Sequence, residues 1–290
     1  MDPNIVILAG GVSSRMKKQA SQTLDVDPSL LRDAGIKAKA MLGVGGGSRP
    51  FLDYLLSHIS RAGYKNVVIV VSDRDPSIRD HYEHNGAARQ FKNLNFTYAV
   101  QPIPAGRTKP LGTADALLHG LKAGSQWKGQ AVTVVNSDNL YSIEVLRLLL
   151  ADKHPNALID YDRSALKFDQ DRIAQFAVIR KDPDGFLQDI IEKPGPLQID
   201  AAADKHGRVG VSMNIFRFSY DMILPCLEAV PLNPQRQEKE LPTAVKMMVN
   251  EHPRSVYTIP ISEHVIDLTS QVDIPAVKQY LAKEFPEFLT

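Results

Sequence analysis

The chain has 290 residues, enough for two domains of ordinary size or one large α/β domain with excursions. Lys and Arg number 34 against 33 Asp and Glu, a formal net charge of +1, and that balance excludes a surface built as a whole to clamp nucleic acid or an anionic membrane. A composition of 43% hydrophobic and 23% charged residues is that of a folded globular chain, and one cysteine, Cys226, allows neither an internal disulfide nor a cysteine zinc cluster.

The start, MDPNIVILAGG, carries Asp where a signal peptide wants positive charge, and its apolar run soon meets glycine. No apolar stretch reaches the ~20 residues of a membrane helix, so a cytoplasmic protein is expected. Residues 5–9 read as a buried strand. From Pro50, PFLDYLLSHISRAG places Leu52, Leu55, Leu56 and Ile59 at helical spacing, with Pro at an allowed first-turn position and Gly63 to close the helix. A β-branched strand at 67–71, a short polar helix at 77–84, a strand at 96–100, a helix at 113–121 and a strand at 131–135 follow. This alternation predicts βαβ units around a mostly parallel sheet.

Beyond residue 150 the texture is that of a more antiparallel half. Strands are expected at 157–161, 175–180, 186–192, 209–218 and 255–259, with DPDG at 182–185 as a turn, and helices at 241–250 and 274–285. No repeat or Gly/Ser linker divides the chain, so one domain over residues 1–290 is expected, with its change of texture between 1–150 and 151–290. The stretch 17–37 is a lid or an insertion.

Chemistry concentrates after the first strand, in LAGGVSSRM. Gly10 and Gly11 let the backbone turn its N–H groups toward an anion, Ser13 and Ser14 add donors and Arg15 supplies a guanidinium, which together suit a triphosphate. There is no GxxxxGK[ST], and the glycines lack the GxGxxG spacing of a nicotinamide oxidoreductase. GVGGG at 43–47 reads as a flexible turn. Asp138 stands at the carboxyl end of a strand, where open α/β sheets bind ligands. Gln101 offers a donor and an acceptor to a nucleobase edge, and Thr113 can cap the helix that follows Gly112. Glu192 and Lys193, adjacent in a strand, point to opposite faces unless the strand ends there, which Pro194 favours. His81 and His84 share a helix face but lack a third ligand, and Tyr141 either flanks a ligand or packs.

The blocks LAGGVSSRM, KAMLGVGGGSRPFLDYLL, LGTADAL, VVNSDNLY and EKPG occur in that order and span most of the chain. Together they resemble the sugar-1-phosphate nucleotidyltransferases. The resemblance implies a Rossmann-like, glycosyltransferase-A-type α/β fold with a mixed, mostly parallel sheet flanked by helices. It implies the joining of a nucleoside triphosphate to a hexose 1-phosphate with Mg²⁺ and release of pyrophosphate. Small-molecule substrates are then the partners, with no nucleic acid or membrane, and the resemblance leaves a homo-oligomer open. It further implies that Arg15 holds the leaving phosphates and that Lys39 contacts the α-phosphate, with Lys37 as the competing lysine because Ala38–Lys39 replaces the usual Pro-Lys.

By the same resemblance Leu8, Ala9, Gly10, Gly11 and Ser13 line the nucleotide, and Gln101, Gly112 and Thr113 read the base. Asp138 and Asp267 are then the metal ligands, and Ala177, Glu192, Lys193, Ser212 and Asn214 hold the sugar phosphate. Ala177 and Asn214 stand where relatives often have glycine, which leaves the sugar open. UTP is the expected triphosphate, with dTTP second and GTP or CTP behind. The alternative is a non-catalytic nucleotide-sugar-binding regulatory paralogue. By the same resemblance 1–150 is the mainly nucleotide-binding half and 151–290 the mainly sugar-phosphate-binding half, and the C-terminal β-helix of many relatives is not expected.

Overall fold

The computed structural model describes residues 2–18 and 26–288. In chain order the first half holds β1 (Asn4–Leu8), α1 (Pro28–Ile36), α2 (Phe51–Ala62), β2 (Asn66–Ser72), α3 (Ser77–Arg79), β3 (Asn95–Gln101), α4 (Thr113–Ala123), β4 (Ala131–Asn136), β5 (Asn139–Leu140) and α5 (Ile143–Ala151). The second holds β6 (Asn156–Asp162), α6 (Gln170–Ile173), β7 (Val178–Lys181), β8 (Leu187–Ile191), α7 (Pro196–Ala201), β9 (Gly210–Val211), β10 (Phe216–Ser219), α8 (Tyr220–Ala229), α9 (Leu241–Glu251), β11 (Val256–Ile261), β12 (Ile266–Asp267) and α10 (Ile274–Glu284).

Among the described residues ten strands form one sheet, in the order β3-β2-β1-β4-β10-β6-β9-β7-β8 with β11 on β6. The β3, β2, β1 and β4 pairings are parallel, whereas β10 runs antiparallel to both β4 and β6 and opens the antiparallel half. This is the expected mixed, mostly parallel α/β sheet. Strand β1 explains how both faces are covered: successive side chains alternate, and all five of its residues are buried. Ile5 and Ile7 pack with Leu52, Leu55 and Leu146 of α2 and α5, while Val6 and Leu8 pack with Leu117, Ile223 and Leu227 of α4 and α8. Burying one such side chain contributes about 1.5–3 kcal/mol.

Several expectations are corrected. The 209–218 strand is two short strands, β9 and β10, because Asn214 turns into the left-handed region at φ +54°. The 175–180 strand starts only at Val178, since α6 and a turn through Gln175 and Phe176 precede it. Helix α5, where Ser142 Oγ accepts from the Val145 N–H, and helix α8, which carries Pro225 inside it, are additional elements. The GVGGG turn is packed rather than loose: a Cβ on Gly45 would overlap the Tyr54 hydroxyl at 2.0 Å. Within the 17–37 stretch lies α1, capped by Asp27 and anchored by buried Leu30 and Ala34, while residues 19–25 fall outside the described residues. Among the described residues no helix is long and apolar enough to cross a membrane.

Candidate active site

Strands β1 and β4 are hydrogen-bonded neighbours, and β3 ends two strands away, so their carboxyl ends open on the same edge of the sheet. A cleft of about 440 Å³ lies there. It is lined by Leu8, Ala9, Gly10, Gly11, Ser13, Arg15, Lys39, Gln101, Gly112, Thr113 and Asp138, all of them anticipated in the sequence. Its floor is fixed by the backbone: the Ala9 N–H donates to the Val70 carbonyl and the Ser137 N–H to the Leu8 carbonyl. Ser13 sits at φ +55°, and its Oγ accepts from the Lys39 N–H at 3.3 Å, which ties the turn after β1 to the segment that carries Lys39.

The two glycines after β1 differ in role. A Cβ on Gly10 would stand 2.8 Å from Gln101 Oε1, whereas Gly11 faces open space. Gly112 lies at φ +109° with the Lys239 carbonyl 2.6 Å from where its Cβ would be, so backbone freedom and close approach both require glycine. Thr113 does not cap α4. Gly112 occupies that position, and the Thr113 Oγ1 accepts instead from the Leu241 N–H at 3.0 Å.

The charged groups sort into two pairs. Lys39 Nζ donates to Asp138 Oδ2, with both side chains mostly buried. Arg172 Nη2 donates to Asp267 Oδ2 at 2.7 Å, the Thr269 hydroxyl donates to its Oδ1 at 2.6 Å, and the guanidinium lies over the Phe168 ring. Asp267 does not line the cleft, yet its strand β12 pairs with β5 and the Leu268 N–H donates to the Asp138 carbonyl at 2.8 Å. Burial first, and then the negative charge of Asp138, push the Asp267 carboxyl above its ordinary range. Arg15 is exposed at the cleft rim and, among the described residues, has no ion-pair partner. Lys37 is held by Asp33 at 2.7 Å and is not part of the cleft wall, so Lys39 is the lysine the fold brings to it.

The remaining anticipated residues stand outside this cleft. Glu192 and Lys193 are exposed beyond the end of β8, and φ +47° at Lys193 supplies the bend that two adjacent side chains need to share a ligand. The Ser212 N–H donates to the Ala177 carbonyl at 2.9 Å, and the Asn214 N–H donates to Ser212 Oγ at 3.3 Å. Tyr141 packs: it is fully buried, and its hydroxyl donates to the Met213 carbonyl at 2.8 Å, joining the Asp138 segment to the Ser212–Asn214 turn. His81 stands 3.9 Å from Asp53 and His84 2.9 Å from Asp80, and among the described residues no cluster of three or more His, Cys, Asp or Glu is placed to hold a metal.

Sequence reasoning missed Arg172, Lys109 and Glu238. The Lys109 ammonium pairs with the Glu238 carboxylate on the cleft wall, and the Lys239 N–H donates to the Leu111 carbonyl, so the segment before α9 closes over the turn before α4. That segment also carries Arg236 and Glu240, paired with each other at 2.9 Å. Nothing in the local sequence pairs residues 129 positions apart; only the folded chain does.

The model of the nucleotidyl transferase family matches residues 36–264. Over 195 residues the chain is 26% identical to a glucose-1-phosphate adenylyltransferase of Bifidobacterium longum (strain DJO10A), covering 65% of this chain and 42% of that protein. A glucose-1-phosphate adenylyltransferase of Parafrankia sp. (strain EAN1pec) is 24% identical over 258 residues, 87% of this chain and 57% of its own. The chain thus spans about half the length of the curated relatives it matches. Among solved structures, a UDP-glucose pyrophosphorylase complexed with UDP-glucose superposes with a TM-score of 0.68 at 16% identity, covering 98% of this chain and all of that one. A UTP-bound enzyme of the same kind from Acinetobacter baumannii gives 0.69 at 16% identity, covering 100% and 96%. The fold is shared with these structures, and with the family model matched over more than half of its length the chain belongs to the nucleotidyl transferase family.

Proposed function

We propose that the chain transfers a nucleotidyl group from a nucleoside triphosphate to a sugar 1-phosphate and releases pyrophosphate. The observation that carries this reading is that Arg15, Lys39 and Asp138, far apart in sequence, converge with a glycine turn on one cleft at the carboxyl ends of parallel strands. In the reaction an oxygen of the sugar phosphate forms a bond to the α-phosphorus while the bond from that phosphorus to the bridging oxygen of the pyrophosphate breaks. No protein nucleophile and no proton transfer is needed. The work left to the protein is alignment and neutralisation of negative charge. In this reading Arg15 holds the leaving phosphates and Lys39 the α-phosphate, and Gln101 with Gly112 and Thr113 meets the base. Glu192 accepts from sugar hydroxyls, Lys193 neutralises the sugar phosphate, and Ala177, Ser212 and Asn214 shape the sugar pocket.

Asp138 and Asp267 would hold Mg²⁺. The donor set suits it: the two carboxylates stand on hydrogen-bonded neighbouring segments, where burial first and then the charge of Asp138 raise the Asp267 carboxyl, and a hard divalent cation would offset that crowding of negative charge. Bound, Mg²⁺ supplies charge neutralisation at the phosphate oxygens. UTP is the favoured triphosphate. ATP is the second reading, because the curated relatives are named as adenylyltransferases; dTTP and GTP stand behind both. We further read the chain as one catalytic unit acting in the cytoplasm on small molecules.

The substitution Asp138→Asn tests the assignment. Pyrophosphate release is expected to fall by on the order of 100-fold or more while circular dichroism and melting stay those of the unaltered chain, since one charge is removed without changing shape. A folded, fully active variant would refute the role given to Asp138.

A further inference from the structure

Gln101 closes β3 with its side chain only 2% exposed. Its Nε2 donates twice, to the Gly112 carbonyl at 2.9 Å and to Asp115 Oδ2 at 2.8 Å. An amide nitrogen carries two hydrogens, so both donors are used inside the wall. The orientation of the amide follows from chemistry as well as from coordinates: turned over, Oε1 would face a carbonyl and a carboxylate, two acceptors with nothing to give. Oε1 is the polar atom that remains, and it lies against Gly10, where a Cβ would come within 2.8 Å. Gln101 and Gly10 both line the cleft. The side chain therefore presents an acceptor alone, whereas its composition suggests both roles. Asp115 is itself 7% exposed on the first turn of α4, with His119 Nε2 3.9 Å from its other oxygen.

We propose that Asp115 is a positioning residue for base recognition: together with the Gly112 carbonyl it takes both N–H groups of Gln101 and so fixes an acceptor toward the nucleobase, which must present an N–H donor on the edge it turns to Gln101. The inference rests on the nucleotidyl-transfer reading and goes beyond it by naming the base edge. The N3–H of uracil or thymine, the amines of adenine and cytosine and the N1–H of guanine meet the requirement, so the constraint falls on which edge of the base is turned to Gln101. A base methylated at that nitrogen leaves the buried Oε1 without a donor, which lowers affinity by on the order of 10- to 100-fold. Asp115 acts through Gln101 and is a positioning residue.

Calorimetric titration of the chain tests this with two pairs, UTP against N3-methyl-UTP and ATP against N6,N6-dimethyl-ATP, scored on whichever parent binds. The unaltered chain is expected to prefer the parent by about tenfold or more. In Asp115→Asn the new amide can donate as well as accept, so only the Gly112 carbonyl still favours the original orientation of Gln101, and the preference is expected to shrink by about threefold or more while tripolyphosphate binding and melting are kept. A loss of folding alone would lower all affinities together and leave the ratio unmoved, which contradicts the proposal. So does equal binding of parent and methylated nucleotide by the unaltered chain, and that outcome leaves the nucleotidyl-transfer reading standing. A chain that binds no nucleoside triphosphate overturns both.

Discussion

Asn214 sits at φ +54°, between β9 and β10, and its carbonyl accepts from the Tyr141 hydroxyl at 3.3 Å. Only glycine takes the left-handed region freely, and asparagine is among the few side chains that tolerate it. This gives a backbone reason for asparagine at this position. Asn214→Gly is accordingly expected to change stability by less than about 0.5 kcal/mol, whereas Asn214→Ala costs about 1 kcal/mol, read from urea melting of the two variants. At this scale the sequence was legible wherever chemistry is local. The glycine turn, Arg15 and Asp138 are legible from their own motifs and Lys39, in competition with Lys37, from the family resemblance, and the fold assembles them on one cleft. What was not legible is pairing across the chain. Gln101 reads as donor and acceptor until Asp115 and the Gly112 carbonyl take both of its hydrogens. Thr113 reads as a helix cap until the Leu241 N–H claims its hydroxyl.

Among elements, the excursion between β6 and β7 governs the Asp267 region. It brings Arg172 to Asp267 and Asp273, and it is tied to the segment before β12 by the Lys167 N–H, which donates to His264 Nδ1 at 3.2 Å, and by the Phe168 ring, 4.7 Å from the imidazole. Burial first, then the charges of Lys167 and Arg172, push the His264 pKa from 6.5 down to about 4. In the unfolded chain this group takes a proton below pH 6.5; in the fold it stays neutral until about pH 4. Its contribution to stability is therefore complete above pH 6.5 and falls as the pH drops from 6.5 to about 4, where the imidazolium can no longer accept from Lys167. In His264→Asn that part of the pH dependence is absent. Urea unfolding at pH 7 and pH 4.5 is expected to show a smaller loss for the variant, and equal losses in the two proteins would contradict this assignment.

The elements themselves were unevenly readable. Strands of the parallel half are buried on both faces and show as continuous apolar runs, which placed β1, β2 and β4 to within a residue or two. Strands β9 and β12 are two residues long and exist only because β6, β7 and β5 pair with them, so no periodicity could mark them. Helix α8 was hidden by Pro225, which reads as a break although the helix accommodates it.

Taken as a whole molecule, a chain of net charge +1 pairs Lys39 with Asp138 on the cleft wall and Arg172 with Asp267 outside it, and leaves Arg15 unpaired at the rim among the described residues. A nearly neutral total is thus compatible with a site for a highly anionic substrate, because the cations come from distant segments that the sheet brings to one edge. The floor of the cleft is built by parallel strands, and the antiparallel half returns through the segment before α9 to place Glu238 on the same wall. The two halves therefore share one cleft wall, which length and composition alone left undecided.

The central claim is the transfer reaction itself, and it is tested most directly by measuring pyrophosphate released from UTP or ATP in the presence of a hexose 1-phosphate and Mg²⁺. The account predicts release that requires the triphosphate, the sugar phosphate and the metal together, with a nucleotide sugar formed in equal amount. No release across a panel of nucleotides and sugar phosphates, or release that proceeds without the sugar phosphate, would contradict it.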